Sequence, residues 1–279
     1  MSLPFVPISE CCLRGSKLPG EPTGQLQHAG TTVGGHTLRI DRYYARPAEI
    51  KHPKTCVVLF YDVFGFSIHN SKILADTYAA HLGVEVFVPD YIPNPPPADL
   101  LDSSIEWYPG SKKDQGWLGY LWSKVSLLKI LPYARGILDG QALPLVDKAM
   151  ADVADAGYTT VGAVGYCRGG TMVSYLLGKG DSSPLAAGVA FHPEYTPARY
   201  PLYTRPAAFV LAEVDAYIYG DRVDEIMTKF SEAPNEATFF KDTAHGFAAR
   251  PSFEHGPTMK AFHDANGRAE AFLRRNLGL

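Results

Sequence analysis

Cys167 sits in the run Gly165-Tyr166-Cys167-Arg168-Gly169-Gly170, after the apolar stretch Thr160 to Val164 and before a segment that reads as a helix. A nucleophile on so sharp a strand-to-helix turn has a strained backbone. Side chains two residues before and after it would collide, hence the glycines at 165 and 169. The following helix places its positive N-terminal end under the sulfur, which favours thiolate. The backbone N–H of Arg168 faces the space where an oxyanion would form. The chemistry this pattern predicts is acyl transfer through a cysteine. The bland alternative is a buried structural cysteine beside a glycine-rich turn, and the coincidence of strand, helix and both glycines argues against it.

Such a nucleophile needs a base, and the base needs an orienting acid. Downstream, Ala207 to Ala212 reads as a strand that runs into Glu213-Val214-Asp215. Asp215 is the preferred acid because it lies past the strand end, in the loop. Glu213 is its competitor, and a helix cap for a segment beginning near Tyr219 is the other use for Asp215. Farther on, Phe239-Phe240 leads to Ala244-His245-Gly246-Phe247, which makes His245 the base. His192 follows the strand Gly188 to Phe191 and is a second candidate to face the site. His255 and His263 fall on or near the terminal helix and read as solvated.

The elements that position these residues alternate between strand and helix. Cys56 to Phe60, Val84 to Val88, Thr159 to Tyr166, Leu185 to Phe191, Ala207 to Ala212 and Ala237 to Phe240 are apolar runs of the kind found in strands buried on both faces. Helical patterns cover Asn70 to Leu82, Gly169 to Leu177 and Thr258 to Asn276. The alternation predicts an α/β fold with a mostly parallel central sheet and helices on both faces. Residues 35–45 alternate as an edge strand, and residues 1–30 read as an irregular leader laid over one domain spanning 31–279. The stretch from Pro93 to about residue 130 fits neither pattern. It contains Trp107, Trp117 and Trp122 and reads as a lid-like insertion, with Trp117 and Trp122 as candidate pocket walls.

Composition narrows the function class. The chain has 279 residues, 46% of them hydrophobic, and a net charge of -3 with no basic run, so no nucleic-acid partner is expected. No stretch is apolar and long enough to suggest a membrane span, and no secretory signal pattern opens the sequence. The four cysteines, Cys11, Cys12, Cys56 and Cys167, form neither a disulfide framework nor a metal-ligand spacing. The expectation is a cytoplasmic protein, monomer or homodimer, with no metal and no organic cofactor. The role of the adjacent Cys11 and Cys12 stays open.

With these residues in place, the sequence resembles the dienelactone hydrolase family from about residue 30 to the end. The matching pieces are the Cys167 motif, Asp215, Ala244-His245-Gly246-Phe247 and Tyr61-Asp62-Val63-Phe64-Gly65. The leader, with Cys11-Cys12 and Gly20-Glu21-Pro22-Thr23-Gly24, is similar to the family's fungal branch. The resemblance implies an α/β-hydrolase fold and a small ester or lactone substrate. It implies a Cys167-Asp215-His245 triad and oxyanion donors at the Val63 and Arg168 amides. It also implies an acid at Asp62, where relatives usually carry Glu, paired at rest with an arginine beyond the histidine, here Arg250. Substrate carboxylate would draw that arginine away and free the acid to help deprotonate the cysteine. Arg135 is the candidate for a second carboxylate-binding arginine. Other uses of the same site are ring opening, acyl transfer or C–C cleavage of a polyketide-type metabolite. A non-enzymatic binding protein on the same fold is the remaining alternative.

Overall fold

The computed structural model describes residues 9–101, 108–111 and 129–279. Apolar runs become buried strands as patterned: β5 (Thr55–Phe60) is buried at all six positions, and β7 (Thr160–Tyr166) and β8 (Ala187–Phe191) lie beside it in the core. With β1 (Gln25–Gln27), β4 (Arg42–Ala45), β6 (Glu85–Pro89), β9 (Ala207–Val214) and β10 (Glu236–Ala244) they form an eight-stranded sheet of order β1-β4-β6-β5-β7-β8-β9-β10. The pairs from β6 through β10 are parallel, and β1 and β4 join antiparallel. After β5 the chain goes first to one side of that strand (β6) and then to the other (β7). Such a reversal opens a crevice at the carboxyl ends of the strands.

Helix α1 (Asn70–Leu82) stops where expected. Gly83 takes the left-handed φ of 69° and returns its N–H to Ala79 O. Helices α3 (Arg168–Leu177) and α5 (Gly256–Leu277) also match their sequence patterns to within a few residues. Helix α2 (Asp139–Asp155) carries Gly140 and Pro144, which obscure its helical signal, and no sequence pattern marked it. Helix α4 (Asp221–Lys229) follows the Asp215 loop.

Two expectations are corrected. Residues 35–45 are not one edge strand. His36–Thr37 (β3) closes a small hairpin with Thr32–Val33 (β2), while Arg42–Ala45 sits one place inside the sheet. The edge is β1, contributed by the stretch expected to be irregular. The leader is also fastened by specific bonds. Asn70 donates to Ser16 O (2.9 Å) and Ala249 O (2.8 Å) and accepts from Leu18 N–H (3.0 Å). Thr23 N–H reaches Asp76 at 2.7 Å. The three tryptophans and most of the proposed insertion lie outside the described residues.

The turn after β7 shows why its glycines are needed. Cys167 has φ 53° and ψ −114°. A Cβ on Gly165 would stand 2.1 Å from Gly169 O, and one on Gly169 would stand 1.9 Å from Phe60 O. Both obstacles are backbone and cannot turn aside. Gly169→Ala is therefore expected to lower stability by about 3 kcal/mol or more, or to prevent folding. Urea denaturation measures this, and a loss under about 0.5 kcal/mol, the size of an ordinary surface substitution, would contradict it.

Candidate active site

Five parallel strands each deliver one chemically able side chain at or just past the carboxyl end. Asp62 follows β5, Cys167 follows β7, His192 follows β8, Asp215 follows β9 and His245 follows β10. The strand ends are held together by Cys167 N–H to Phe191 O (3.0 Å), His192 N–H to Val210 O (2.7 Å) and His245 N–H to Val214 O (2.8 Å). Behind the turn, Tyr166 OH donates to Asn266 Oδ1 at 2.5 Å, and Asn266 Nδ2 donates to Ala248 O at 3.0 Å. These bonds tie α5 to both the cysteine strand and the histidine loop.

Asp215 meets His245. Its Oδ2 lies 2.8 Å from Nδ1 of the ring, and its Oδ1 accepts the Tyr217 N–H at 2.8 Å. The carboxylate thus both caps the turn before α4 and orients the histidine. Glu213 is exposed and accepts the Asp242 N–H at 2.7 Å, away from His245. Burial works against a charged His245 ring and is the largest single influence. The Asp215 carboxylate and the Cys12 sulfur outweigh it, and the pKa rises to about 10.

The unexpected member is Cys12. The 3-10 turn Glu10–Leu13 brings its sulfur 3.6 Å from Cys167 Sγ and 3.7 Å from His245 Nε2. Tyr217 OH lies 3.4 Å from the same sulfur. Hydrogen bonds from the Cys11 and Cys167 thiols, together with the His245 charge, hold Cys12 well below the ordinary thiol range. Cys167 moves the other way. Its S–H is held by Cys12, burial adds to the effect, and the Arg168 amide only partly offsets both. The helix N-terminus was expected to make Cys167 the thiolate. Here the cluster's negative charge sits best on Cys12, the sulfur in contact with the imidazolium. Adjacent cysteines in a leader carry no spacing signal that would have placed them here.

Arg250 is fully buried and ion-paired with Asp62. It also donates to Arg14 O and Cys12 O, both at 3.1 Å. Burial pushes its pKa down to about 10, which leaves it charged at neutral pH. Asp62 Oδ1 accepts the Phe64 N–H at 2.9 Å, which fixes the loop carrying the buried Val63. The Arg168 side chain turns from the site to pair with Glu194 (2.9 Å) and Asp139. His192 is buried with φ 35° and packs its ring 4.7 Å from that of His245. Neither of its ring nitrogens has a partner among the described residues, and burial holds its pKa well below the usual value. It is a neutral wall against the His245 ring. Arg135 is exposed on the turn Ala134–Ile137, and no described contact links it to the cluster. Trp117 and Trp122 lie outside the described residues. His255 pairs with Thr258 and stacks on Tyr108.

A parallel sheet with a strained strand-to-helix cysteine, an acid after β9 and a histidine after β10 defines an α/β-hydrolase fold. The chain belongs to the dienelactone hydrolase family, whose profile matches residues 40–277. It is similar to Hydrolase pyvD of Aspergillus violaceofuscus, 27% identical over 250 residues that cover 88% of this chain and 87% of that protein. It is also similar to Dienlactone hydrolase 1 of Gibberella moniliformis, 29% identical over 253 residues, 88% of this chain and 84% of that one. Among solved structures, Thermogutta terrifontis esterase 2 phosphonylated by cyclosarin superposes with a TM-score of 0.57 at 14% identity, covering 92% of this chain and 96% of that one. No helix among the described residues is long and apolar enough to cross a membrane.

The His245–Asp215 pair has a pH signature. The folded pKa of about 10 lies above the unfolded value of about 6.5. The pair's stabilisation is therefore complete below about pH 6.5 and is lost as pH rises through 10. Asp215→Asn removes the main source of the upward shift, so the His245 midpoint should fall toward or below about 6.5. Ring carbon NMR titration of both proteins tests this, and an unchanged midpoint in the variant would contradict it.

Proposed function

We propose that the protein hydrolyses a small carboxylic ester or lactone through a thioacyl intermediate on Cys167. The observation that supports this most directly is the buried Asp215–His245 pair, 2.8 Å apart, at the mouth of the strained cysteine turn. In the resting arrangement the Cys167 proton is shared with the Cys12 sulfur, which itself contacts His245. Transfer of that proton to Cys12 leaves the thiolate on Cys167, above the α3 N-terminus. The thiolate attacks the carbonyl carbon, and the charge moves to the carbonyl oxygen, which the Val63 and Arg168 amides receive. The intermediate collapses, and the imidazolium protonates the departing oxygen. Neutral His245 then takes a proton from water, hydroxide attacks the thioester, and Cys167 leaves as thiolate with release of the acid. A thiolate leaves readily, so this chemistry favours activated esters, enol lactones and strained lactones over amides.

Asp62 and Arg250 suit a substrate that carries a carboxylate. The guanidinium is buried beside the cysteine cluster and donates to Cys12 O, and a substrate anion would compete with Asp62 for it. The name of one relative, Dienlactone hydrolase 1, agrees with hydrolysis of a lactone.

An activated aryl ester in excess over the enzyme should give a burst of one phenolate per active chain and an acyl mass increment on the protein. Cys167→Ala should show neither and should lose turnover by about 1,000-fold or more. A Cys167→Ala protein that retains both the increment and the turnover would overturn the reading.

A further inference from the structure

The buried cysteines and the histidine together make a donor set that neither the sequence spacing nor the hydrolytic chemistry explains. The Cys11 and Cys12 sulfurs and a His245 ring nitrogen lie within 4.8 Å of one another, all buried. Cys167 Sγ lies 3.6 Å from Cys12 Sγ but outside this mutually close trio. The trio is small enough for three ligands to share one tetrahedral ion. With zinc–sulfur bonds of about 2.3 Å and zinc–nitrogen bonds of about 2.0 Å, tetrahedral angles place two sulfurs about 3.7 Å apart and a sulfur and nitrogen about 3.5 Å apart. The separation of Cys12 Sγ from His245 Nε2 here is 3.7 Å.

We propose that Cys11, Cys12 and His245 form a three-ligand binding site for one thiophilic, tetrahedrally coordinated divalent cation of the Zn²⁺ class. The surroundings are those a metal-ligating histidine and cysteine require. Asp215 holds Nδ1 at 2.8 Å, which leaves Nε2 as the ligand atom facing Cys12, a carboxylate–histidine–metal arrangement. The Cys12 backbone is fixed through its carbonyl by Arg250 at 3.1 Å. Tyr217 OH, 3.4 Å from the Cys12 sulfur, supplies a hydrogen bond from outside the ligand shell. The three donors are sulfur and nitrogen, which zinc accepts and hard, oxygen-seeking cations disfavour. On binding, the thiol and ring protons pass to solvent, so affinity rises with pH.

Occupancy would take up the base and the Cys12 sulfur that receives the Cys167 proton, and stop turnover. That consequence rests on the role given to His245 under the proposed function; the binding itself does not. The full-length protein, reduced with a phosphine, freed of metal by a chelator and desalted, is titrated with Co²⁺. Saturable charge-transfer and tetrahedral d–d absorption at one Co²⁺ per chain, bleached by one equivalent of Zn²⁺, is the expected result. Cys12→Ser should weaken binding by about 100-fold or more, and Cys11→Ser by about 10-fold or more. Cys56→Ser, altered inside β5 and outside the cluster, should bind as the wild type does. Circular dichroism and a metal-free melt show whether each variant is folded. Should Cys12→Ser not fold, the Cys11→Ser comparison alone decides. No saturable tetrahedral signal in the wild type, or a signal untouched by folded Cys11 and Cys12 variants, overturns the site. Aryl-ester turnover measured on the same samples separates the two readings. If the metal binds at the cluster and turnover is unaffected, the site stands and the role of His245 falls.

Discussion

A guanidinium with no access to water must find every partner inside the protein, and Arg250 finds them in two places. Asp62, at the end of β5, supplies the opposite charge, and the carbonyls of Cys12 and Arg14 take two further N–H groups. Leaving such a group unpaired costs far more than an ordinary hydrogen bond returns. Residues 9–15 are therefore held across the site by necessity. Gly15 shows how close the approach is. With φ 122°, a Cβ there would stand 2.6 Å from Arg250 O. Asn70 extends the same logic, bridging Ser16 of the leader and Ala249 of the histidine loop. The position of Cys12 between Cys167 and His245 is a consequence of Arg250 as much as of anything in the catalytic loops.

The charge in the cluster follows from that placement. Two influences compete for the thiolate. The α3 N-terminus and the Arg168 amide favour it on Cys167, and contact with the His245 imidazolium favours it on Cys12. A formal charge at hydrogen-bond distance outweighs a helix end worth about half a charge, so the Cys12 thiol is drawn down and the Cys167 thiol pushed up. His192 matters here by being neutral. A second charged ring 4.7 Å from His245 would oppose the imidazolium, and its complete burial prevents that.

The parts of this arrangement that the sequence revealed were those with local causes. Apolar runs announced β5, β7 and β8 because burial on both faces demands them. Gly165 and Gly169 announced the turn because their missing side chains are a local steric requirement. The preference for Asp215 over Glu213 came from one geometric consideration, the loop beyond the strand end, and the contact with His245 follows it. What stayed hidden was non-local. Cys12 meets Cys167 across 155 residues, and nothing in a pair of adjacent cysteines says which surface they will cover. The leader strand β1 escaped notice because Gln25-Leu26-Gln27 is short and largely exposed. Helix α2 did so because Gly140 and Pro144 mask its helical character.

Asp62 carries the last constraint. One oxygen accepts the Phe64 N–H and the other is paired with Arg250, so each already carries a partner. Under the proposed function the base work falls to the Cys12–His245 side. An anion that drew Arg250 from Asp62 would also have to break the two bonds to the leader carbonyls, because the same guanidinium makes all three. Release of the acid and loosening of the leader are thus one event, and the residue that frees Asp62 is the residue that frees Cys12. With Asp in place of the longer Glu, reach toward the sulfur is shorter, and the coupling through Arg250 to the leader becomes the more direct route by which a bound carboxylate would change the state of Cys167.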